Sequence, residues 1–148
     1  MRLLIQRVKS AKVTVGGRDI AVIGKGFLLL VGIGKDDNQD DIEAMAKKVS
    51  DLRIFEDGEG KMNLNIVQAS GAILSVPQFT LYADTRKGNR PGFAASAEPD
   101  VAKDMWKGLN KRVRENGIPV SEGEFGAHMK VALTNDGPVT IWLDSKEK

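Results

Sequence analysis

The feature that most constrains the fold is an unbroken apolar run, FLLLVGI, at residues 27–33. A strand with one face in water alternates apolar and polar side chains, whereas a continuous apolar run is typical of a strand that is buried on both faces. We therefore predict that residues 27–33 form the central strand of a sheet. The rest of the chain has to be arranged so that both faces of this strand are covered.

Other stretches rich in apolar and β-branched residues predict further strands. They lie at residues 2–8, 12–15, 20–23, 54–55, 65–67, 71–81, 125–134 and 139–143. Gly16 and Gly17 have the torsional freedom of a tight hairpin turn, and the residues NDGP at 135–138 predict a second hairpin loop. In the strand that begins at Phe125, alternation places the only histidine, His128, on the more polar face, where we expect it to be solvated.

Two stretches have the apolar periodicity of a helix. The first is predicted to begin after Asp36 or Asp37, which can cap free N–H groups, and to end near Leu52. The second is predicted to begin with Pro99 in its first turn and to end near Asn116. The residues expected to face the core are Ile42, Met45, Ala46 and Val49 in the first helix and Val101, Met105, Trp106, Leu109 and Val113 in the second.

The length of 148 residues suits one domain with a single core, and we assign residues 1–148 to it. The predicted elements place this domain in the α+β class, with mostly antiparallel β-sheets and two main helices packed on them. No apolar run approaches the roughly 20 residues of a membrane span, and the N-terminus turns polar too early for a signal peptide. A cytoplasmic protein is therefore expected.

The absence of cysteine narrows the chemistry that the chain can perform. With no cysteine there is no disulfide framework, no thiolate nucleophile and no cysteine-bound zinc. The acidic residues at 56–61 lack the spacing of a calcium loop, so neither a metal nor a cofactor is expected. A net charge of +2 is compatible with a polyanionic partner but does not require one.

The end of the central strand has part of the pattern of a phosphate-binding loop, Gly32 and Gly34 followed by Lys35. The full pattern requires a glycine at the position of Leu29 and a hydroxyl-bearing residue at the position of Asp36. Neither requirement is met, so we reject a nucleotide-binding loop here.

The segment SVPQFTL at residues 75–81 ends a long predicted strand and leads into a polar loop at residues 84–91. Short polar side chains at the end of a buried strand are candidates for positioning a substrate, because the scaffold is rigid there while the loop stays open to solvent. We therefore predict that Gln78 and Thr80 lie at the mouth of a pocket. The alternative is a plain exit from strand to loop.

Two separate blocks of the sequence are similar to those of one enzyme family. The residues VPQFTL at 76–81 resemble the Ser-Gln-Phe-Thr signature of the D-aminoacyl-tRNA deacylases, the D-tyrosyl-tRNA deacylase family, and NDGPVT at 135–140 resembles the Gly-cisPro signature of the same family. Further similar segments follow in family order, namely IQRV at 5–8, RIF at 53–55, GKMN at 60–63, RPGF at 90–93 and GEFGAHM at 123–129. The resemblance covers essentially the whole chain, so the fold of that family is expected.

The resemblance implies a homodimeric enzyme that hydrolyses the ester bond of D-aminoacyl-tRNA, and of glycine mischarged on tRNA. In the family, the dipeptide that matches Gly137 and Pro138 has a cis bond, enters the pocket of the partner subunit and excludes L side chains. A rigid wall suits this task because two enantiomers differ only in where the side chain points. Arg7 matches an arginine that supports the dipeptide; the alternative is a surface arginine on an edge strand.

The resemblance also implies the catalytic groups, which are Gln78, Phe79 and Thr80. Main-chain N–H groups near Phe79 and Thr80 would hold the carbonyl oxygen, while the 2′-hydroxyl of the terminal adenosine helps to activate water. Such substrate assistance suits a chain in which no general base is evident. Direct attack by Thr80 is the alternative, but it needs a base to take the proton. The side chains of Phe79, Phe125 and Met129 are expected in the pocket wall or in the core.

For tRNA binding, Lys87 and Arg90 in the loop after the signature are expected to contact phosphates in a salt-sensitive, sequence-independent way. The expected partners are the acceptor end of D-aminoacyl-tRNA and a second copy of the chain, but neither DNA nor a membrane. The alternative function is a protein that binds the acceptor end without cleaving it. A purely structural dimer would need neither signature.

One position departs from the family pattern. The serine that precedes the glutamine is replaced by Pro77, which has neither a hydroxyl nor an N–H. Ser75 lies two residues earlier, roughly 6 to 7 Å along a strand, and is not expected to take over the role. If hydrolysis depends on main-chain groups and on the substrate's own hydroxyl, activity should persist in a weakened form.

Overall fold

The first strand organises the sheet, because it pairs with three others. A computed structural model describes residues 1–147. In chain order its elements are β1 (Arg2–Val15), β2 (Arg18–Ile23), β3 (Gly26–Gly32), α1 (Gln39–Asp51), β4 (Phe55–Glu56), β5 (Met62–Leu64), β6 (Ala72–Pro77), a 3₁₀ turn (Phe79–Tyr82), α2 (Pro99–Glu115), β7 (Val120–Glu122) and β8 (Lys130–Asp144). The main sheet has the order β2-β1-β3-β6-β7, and β8 pairs with β1.

The sheet is mixed. β1 runs antiparallel to β2, to β3 and to β8, while β6 runs parallel to both β3 and β7. The expected α+β class with mostly antiparallel strands and two helices in a single domain is confirmed, with two parallel pairs added at one side. The prediction of β3 as the central strand is also confirmed. No helix within residues 1–147 is long and apolar enough to span a membrane.

The central strand is buried on both faces, as its composition predicts. Phe27, Leu29 and Val31 belong to a large core that also includes buried side chains of α1 and α2. Leu28 projects to the opposite face, into a second core formed with side chains of β1, β2 and β6. Both cores therefore depend on β3. The residues predicted to lie at a pocket follow the end of β6, which pairs with β3.

The first helix begins later than predicted. Its N-cap is Asn38, whose side chain accepts a hydrogen bond from the N–H of Asp40, while the Asp41 carboxylate accepts from the Asn38 N–H to complete a capping box. Asp37 does not cap the helix because its carboxylate accepts the N–H of Gly34 at 2.7 Å.

The second helix lies where the periodicity predicts, but one residue of the predicted apolar stripe does not face the core. Val101 is half exposed, and Ala102 is buried instead. At about 100° per residue, Ala102, Trp106, Leu109 and Val113 fall within about 60° of one another around the helix axis, whereas Val101 lies about 80° away from Leu109. Trp106, Leu109 and Val113 are buried as expected.

Three predicted strands are shorter than expected or absent. Residues 65–67 form a turn, since Asn65 and Gln68 each accept the other's backbone N–H with their side-chain oxygens. Residues 125–129 are irregular, with Gly126 at a φ of +80°, and β8 begins only at Lys130. The long strand predicted to reach residue 81 ends at Pro77 and gives way to the 3₁₀ turn.

The predicted hairpin at residues 135–138 is also wrong. β8 continues through this segment as one strand against β1, with Asn135 opposite Val8 and Thr140 opposite Gln6. Residues 136–139 therefore form a bulge beside a single residue of β1, Arg7. A turn-rich composition fits a bulge as well as a hairpin, because both require backbone groups that leave the hydrogen-bonded ladder.

Candidate active site

A pocket of about 280 Å³ lies between the end of β6 and the irregular segment before β8. It is lined by Val76, Pro77, Gln78, Phe79, Phe125, Gly126, Ala127, His128, Met129 and Val131. Four of the residues predicted from the sequence as site residues, Gln78, Phe79, Phe125 and Met129, thus meet in one place. A larger cavity of about 690 Å³ beside the two helices contains none of the predicted site residues.

The strand pairing places Gln78 at the pocket. Its N–H donates to the Val31 carbonyl at 2.7 Å, which ties the residue after β6 to the end of the central strand. Along a strand, N–H groups alternate in direction, so the nitrogen of Pro77 faces away from β3. The ladder on that side ends at Ser75, which is paired with Glu122. Pro77 therefore fits β6 without removing a ladder hydrogen bond.

The 3₁₀ turn presents main-chain donors beside the pocket. Within the described chain, neither the Phe79 N–H nor the Thr80 N–H has a hydrogen-bond acceptor, as expected for the first residues of a helical turn. The Gln78 side-chain amide donates to the Thr80 hydroxyl. The Phe79 ring is 56% exposed and rests edge-on against Phe93, with centroids 4.9 Å apart.

The pocket wall is apolar except at its rim. Phe125 and Met129 are both half-buried, and the Phe125 ring lies 6.1 Å from that of buried Trp106. His128 is exposed, as predicted, although it contributes to the pocket lining. No aspartate or glutamate is among the described lining residues, so a carboxylate general base is missing from the wall of this pocket.

The bulge at residues 136–139 is supported by a buried arginine. Arg7 is only 6% exposed, and its guanidinium donates to the Ile54 carbonyl at 2.7 Å and to the Asp136 carbonyl at 3.2 Å. The Asp136 carboxylate lies 3.5 Å from Arg7 Nε. The Gly137–Pro138 bond is cis, and both residues are exposed. Arg7 is therefore not a surface residue on an edge strand.

A second support of the bulge was missed by the sequence reasoning. The Asn135 side-chain amide donates to the carbonyls of Arg7 and Val139, both at 3.0 Å, so it joins the start of the bulge to its end. Its oxygen accepts from Gln6 Nε2 at 3.2 Å and from the Thr140 hydroxyl at 3.1 Å. The only signal in the sequence was an asparagine at the start of a turn-rich segment.

The bulge and the pocket are separate within one chain. Neither Gly137 nor Pro138 is among the residues that line the pocket at Gln78. Arg7 and Asp136 instead line another cavity, of about 310 Å³, together with Lys9, Lys25, Phe55 and Glu56. The structure therefore divides the predicted site into two groups.

The loop after the 3₁₀ turn carries the two predicted tRNA contacts. Two backbone hydrogen bonds between Asp84 and Gly92 close it, and the Arg86 side chain and N–H bond the Asp84 carboxylate and lower its pKa to about 2. Lys87 and Arg90 are exposed at the loop tip. Among the described residues, neither has an ion-pair partner, so both charges are available to a ligand.

Several of the basic residues of α2 are already engaged. Arg112 pairs with Glu43 at 2.7 Å, and Arg114 pairs with Glu122 at 3.1 Å. These two arginines are therefore less available for phosphate contacts than Lys87 and Arg90 of the loop, while the lysines of α2 are exposed.

Comparisons with known proteins agree with one another. The model of the family described as D-Tyr-tRNA(Tyr) deacylase matches residues 4–144. A D-aminoacyl-tRNA deacylase of Thermus aquaticus is 53% identical over 148 residues, covering 100% of this chain and 97% of its own. Its counterpart in Thermosipho africanus (strain TCF52B) is 52% identical, covering 99% of each chain.

Two solved structures share the fold. One, named "c-Myc DNA Unwinding Element Binding Protein", has a TM-score of 0.93 and 39% identity, covering 97% of this chain and 98% of its own. The other, described as a probable eukaryotic D-amino acid tRNA deacylase, has a TM-score of 0.80 at 17% identity, covering 96% and 97%, which shows the fold alone. From the family match and the identities above, the chain belongs to the D-aminoacyl-tRNA deacylase family and is an enzyme of this kind.

Proposed function

We propose that this deacylase releases D-amino acids, and glycine mischarged on tRNA, by water attack on an ester held in the pocket at Gln78. The observation that carries the proposal is the pocket itself, whose lining brings Gln78 and Phe79 together with the apolar side chains of Phe125 and Met129. The free N–H groups of Phe79 and Thr80 bind the carbonyl oxygen and the negative charge that develops on it. One such donor is worth about 2.7 to 4 kcal/mol of transition-state stabilisation in a dry site.

The 2′-hydroxyl of the terminal adenosine is proposed to help activate the water. The absence of a carboxylate among the described lining residues supports this role, because no acidic side chain of the wall can act as the base. Thr80 is a weaker candidate for the nucleophile, since no carboxylate among the described lining residues can take its proton. Its hydroxyl instead accepts a hydrogen bond from the Gln78 amide. Gln78 and Thr80 then orient the turn rather than react.

Chiral selection is proposed to require a second copy of the chain. Gly137 and Pro138 are exposed on a braced bulge but do not line the pocket of their own chain. In a homodimer, this dipeptide would enter the partner's pocket and block the space that an L side chain needs. Rejection would be steric, so the position of the dipeptide must be fixed to within the size of a methyl group. The hydrogen bonds of Arg7 and Asn135 provide this support.

The acceptor end of the tRNA is proposed to pass Lys87 and Arg90, whose free charges lie in the loop that follows the 3₁₀ turn. Binding would depend on salt and would be nearly independent of sequence. A cytoplasmic location and the exclusion of DNA stay predictions. The name of the 39% identical solved structure refers to DNA, so competition by single-stranded DNA is the direct check of the second prediction.

The central experiment compares the hydrolysis of matched D- and L-aminoacyl-tRNAs that carry the same amino acid on the same tRNA. We expect D-selective release of amino acid well above the spontaneous rate. Binding without any release would favour the alternative, a protein that holds the acceptor end without cleaving it.

A second experiment replaces the terminal adenosine by its 2′-deoxy form. A large loss of rate is expected if the 2′-hydroxyl assists. If the rate is unchanged, the base must come from the protein, and His128 at the rim is the first residue to replace, as His128→Gln.

A further inference from the structure

Arg2, at the start of β1, contacts the C-terminal end of the 3₁₀ turn. The N–H groups that have no acceptor among the described residues belong to the N-terminal end of the turn. The Arg2 guanidinium donates to the Leu81 carbonyl at 3.0 Å through one terminal nitrogen, and to the Asp144 carboxylate at 3.0 Å through Nε. It also lies over two aromatic rings, 4.5 Å from the centroid of Tyr82 and 5.6 Å from that of Trp142. One side chain thus joins β1, β8 and the turn.

The turn is anchored at both ends. At its beginning, the Gln78 N–H donates to Val31 of the central strand. At its end, carbonyl groups of a helical turn lack intrahelical donors, and a cation there is favourable. Arg2 supplies both the donor and the charge at Leu81. Phe79 and Thr80 lie between these two anchors.

Gly32 and Gly34, which form part of the rejected phosphate-loop pattern, lie against the 3₁₀ turn, and this contact explains why they are glycines. A Cβ on Gly32 would lie 3.0 Å from the Leu81 Cβ and 3.1 Å from the Gln78 carbonyl oxygen. A Cβ on Gly34 would lie 2.6 Å from the Tyr82 hydroxyl oxygen. The end of β3 therefore lets the turn approach closely, and the Arg2 guanidinium lies over the Tyr82 ring of that turn.

We propose that Arg2 is a positioning residue, which holds the main-chain donors of Phe79 and Thr80 in their working geometry through the Leu81 carbonyl and the Tyr82 ring. This inference rests on the proposed function of the turn. Arg2 does not line the pocket and needs no contact with the reacting atoms. Its loss should lower kcat while leaving KM nearly unchanged, because small misplacements of catalytic groups cost up to about a hundredfold in rate.

The test replaces Arg2 by methionine, which keeps the stem but removes the donors and the charge, and by lysine, which keeps the charge and one donor group. We expect kcat for D-aminoacyl-tRNA to fall about tenfold or more in Arg2→Met and only a fewfold in Arg2→Lys, with KM within about twofold of the wild type in both. Arg18→Met is the matched control, because Arg18 is exposed on β2, and it should behave as wild type.

Hydrogen exchange gives a readout that does not depend on activity. In Arg2→Met, amides of residues 78–83 should exchange faster, whereas those of α1 and α2 should not change. Faster exchange everywhere would mean global destabilisation and would overturn the positioning role. An unchanged kcat in a folded Arg2→Met variant would also overturn the positioning role. A raised KM with a normal kcat would overturn it too and would indicate that Arg2 contacts the tRNA.

If Arg2→Met does not fold, Trp142→Leu carries the test. Trp142 is 43% exposed, and its loss removes one of the two rings that hold the guanidinium. We expect a kcat about threefold lower with the same KM, and no change in kcat would contradict the proposal. If the wild type itself shows no hydrolysis, the proposed function fails, while the exchange measurement still decides whether Arg2 anchors the turn.

Discussion

The 3₁₀ turn Phe79–Tyr82 and the bulge at residues 136–139 are both interruptions of regular strand structure, but they relate differently to the rest of the chain. The turn borders a pocket of its own chain and leaves main-chain donors free. The bulge exposes its central dipeptide, which lines no part of that pocket. One interruption thus borders a pocket, and the other forms an exposed projection.

The bulge is supported by a buried charged side chain, and burying a charge is energetically unfavourable. A segment that only connected two halves of a strand would not need such a support. Burying a guanidinium requires that its hydrogen bonds be satisfied, and Arg7 spends one of its donors on the Asp136 carbonyl. A simple surface loop would need no buried charge behind it. The bulge is thus held by a buried arginine, and such support is what the proposed role in a partner's pocket requires.

The largest effect is expected from removing the support of the bulge. Arg7→Met leaves the Ile54 and Asp136 carbonyls without their donor, and hydrogen bonds to a charged group are worth about 1.5 to 3 kcal/mol each. We expect a loss of about 3 kcal/mol in the free energy of unfolding and a reduced D-to-L ratio of kcat/KM, measured by denaturation and by hydrolysis. A folded variant with full selectivity would separate the bulge from chiral rejection.

A somewhat smaller effect is expected from a methyl group on the projection itself. Gly137 has a φ of +117°, and an added Cβ would lie 2.8 Å from the Val139 nitrogen and 3.1 Å from an Arg7 nitrogen. Gly137→Ala should cost about 1 to 3 kcal/mol and lower the D-to-L ratio. Gly16→Ala, at a φ of +56° with nothing within 4 Å, controls for backbone strain and should leave selectivity intact.

On the pocket side, removal of the two loop charges is expected to weaken binding without changing selectivity. In the double variant Lys87→Ala/Arg90→Ala, KM should rise about tenfold, and the slope of log affinity against log salt should fall by roughly 0.7 to 0.9 for each phosphate contact that is lost. Arg18→Ala/Lys61→Ala removes the same charge elsewhere and is the control. Equal salt slopes in both variants would move the tRNA path away from this loop.

The smallest effect is expected at the position where the chain departs from its family. Pro77 lines the pocket but removes no ladder hydrogen bond, so Pro77→Ser should change D-selective kcat/KM only a fewfold. A gain of orders of magnitude would show that a hydroxyl at this position takes part in catalysis, and the turn could then no longer be described as a purely main-chain site.

The parts of the fold that were predictable are those in which burial decides the pattern. Residues 27–33 predict a central strand because no polar side chain interrupts them. The apolar residues at helical spacing and Pro99 in the first turn predict α2. The errors fall where side chains bond to nearby backbone. Asn38 rather than Asp37 caps α1, and Asn65 with Gln68 turns a predicted strand into a loop. Periodicity carries no information about such local bonds.

The candidate site was predictable in its members but not in its arrangement. Of the predicted site residues, Gln78, Phe79, Phe125 and Met129 line one pocket, whereas Thr80, predicted at the pocket mouth, is not among its lining residues. The predicted hairpin at residues 135–138 is wrong because turn-forming residues do not determine whether the chain reverses after them. Here the chain continues along β1 after the bulge. The anchors Asn135 and Arg2 were missed because each acts through one side chain on a distant backbone.

The pairing of β1 with β8 has a consequence for how the molecule is made. Arg2 lies opposite Asp144, and the hydrogen bond from Arg7 to Asp136 spans 129 positions of sequence. Contacts of such long range form slowly, and a chain emerging from the ribosome cannot form them until β8 has been synthesised. Until then β1 has one open edge, and the nascent chain has neither the bulge of β8 nor the Asp144 partner of Arg2.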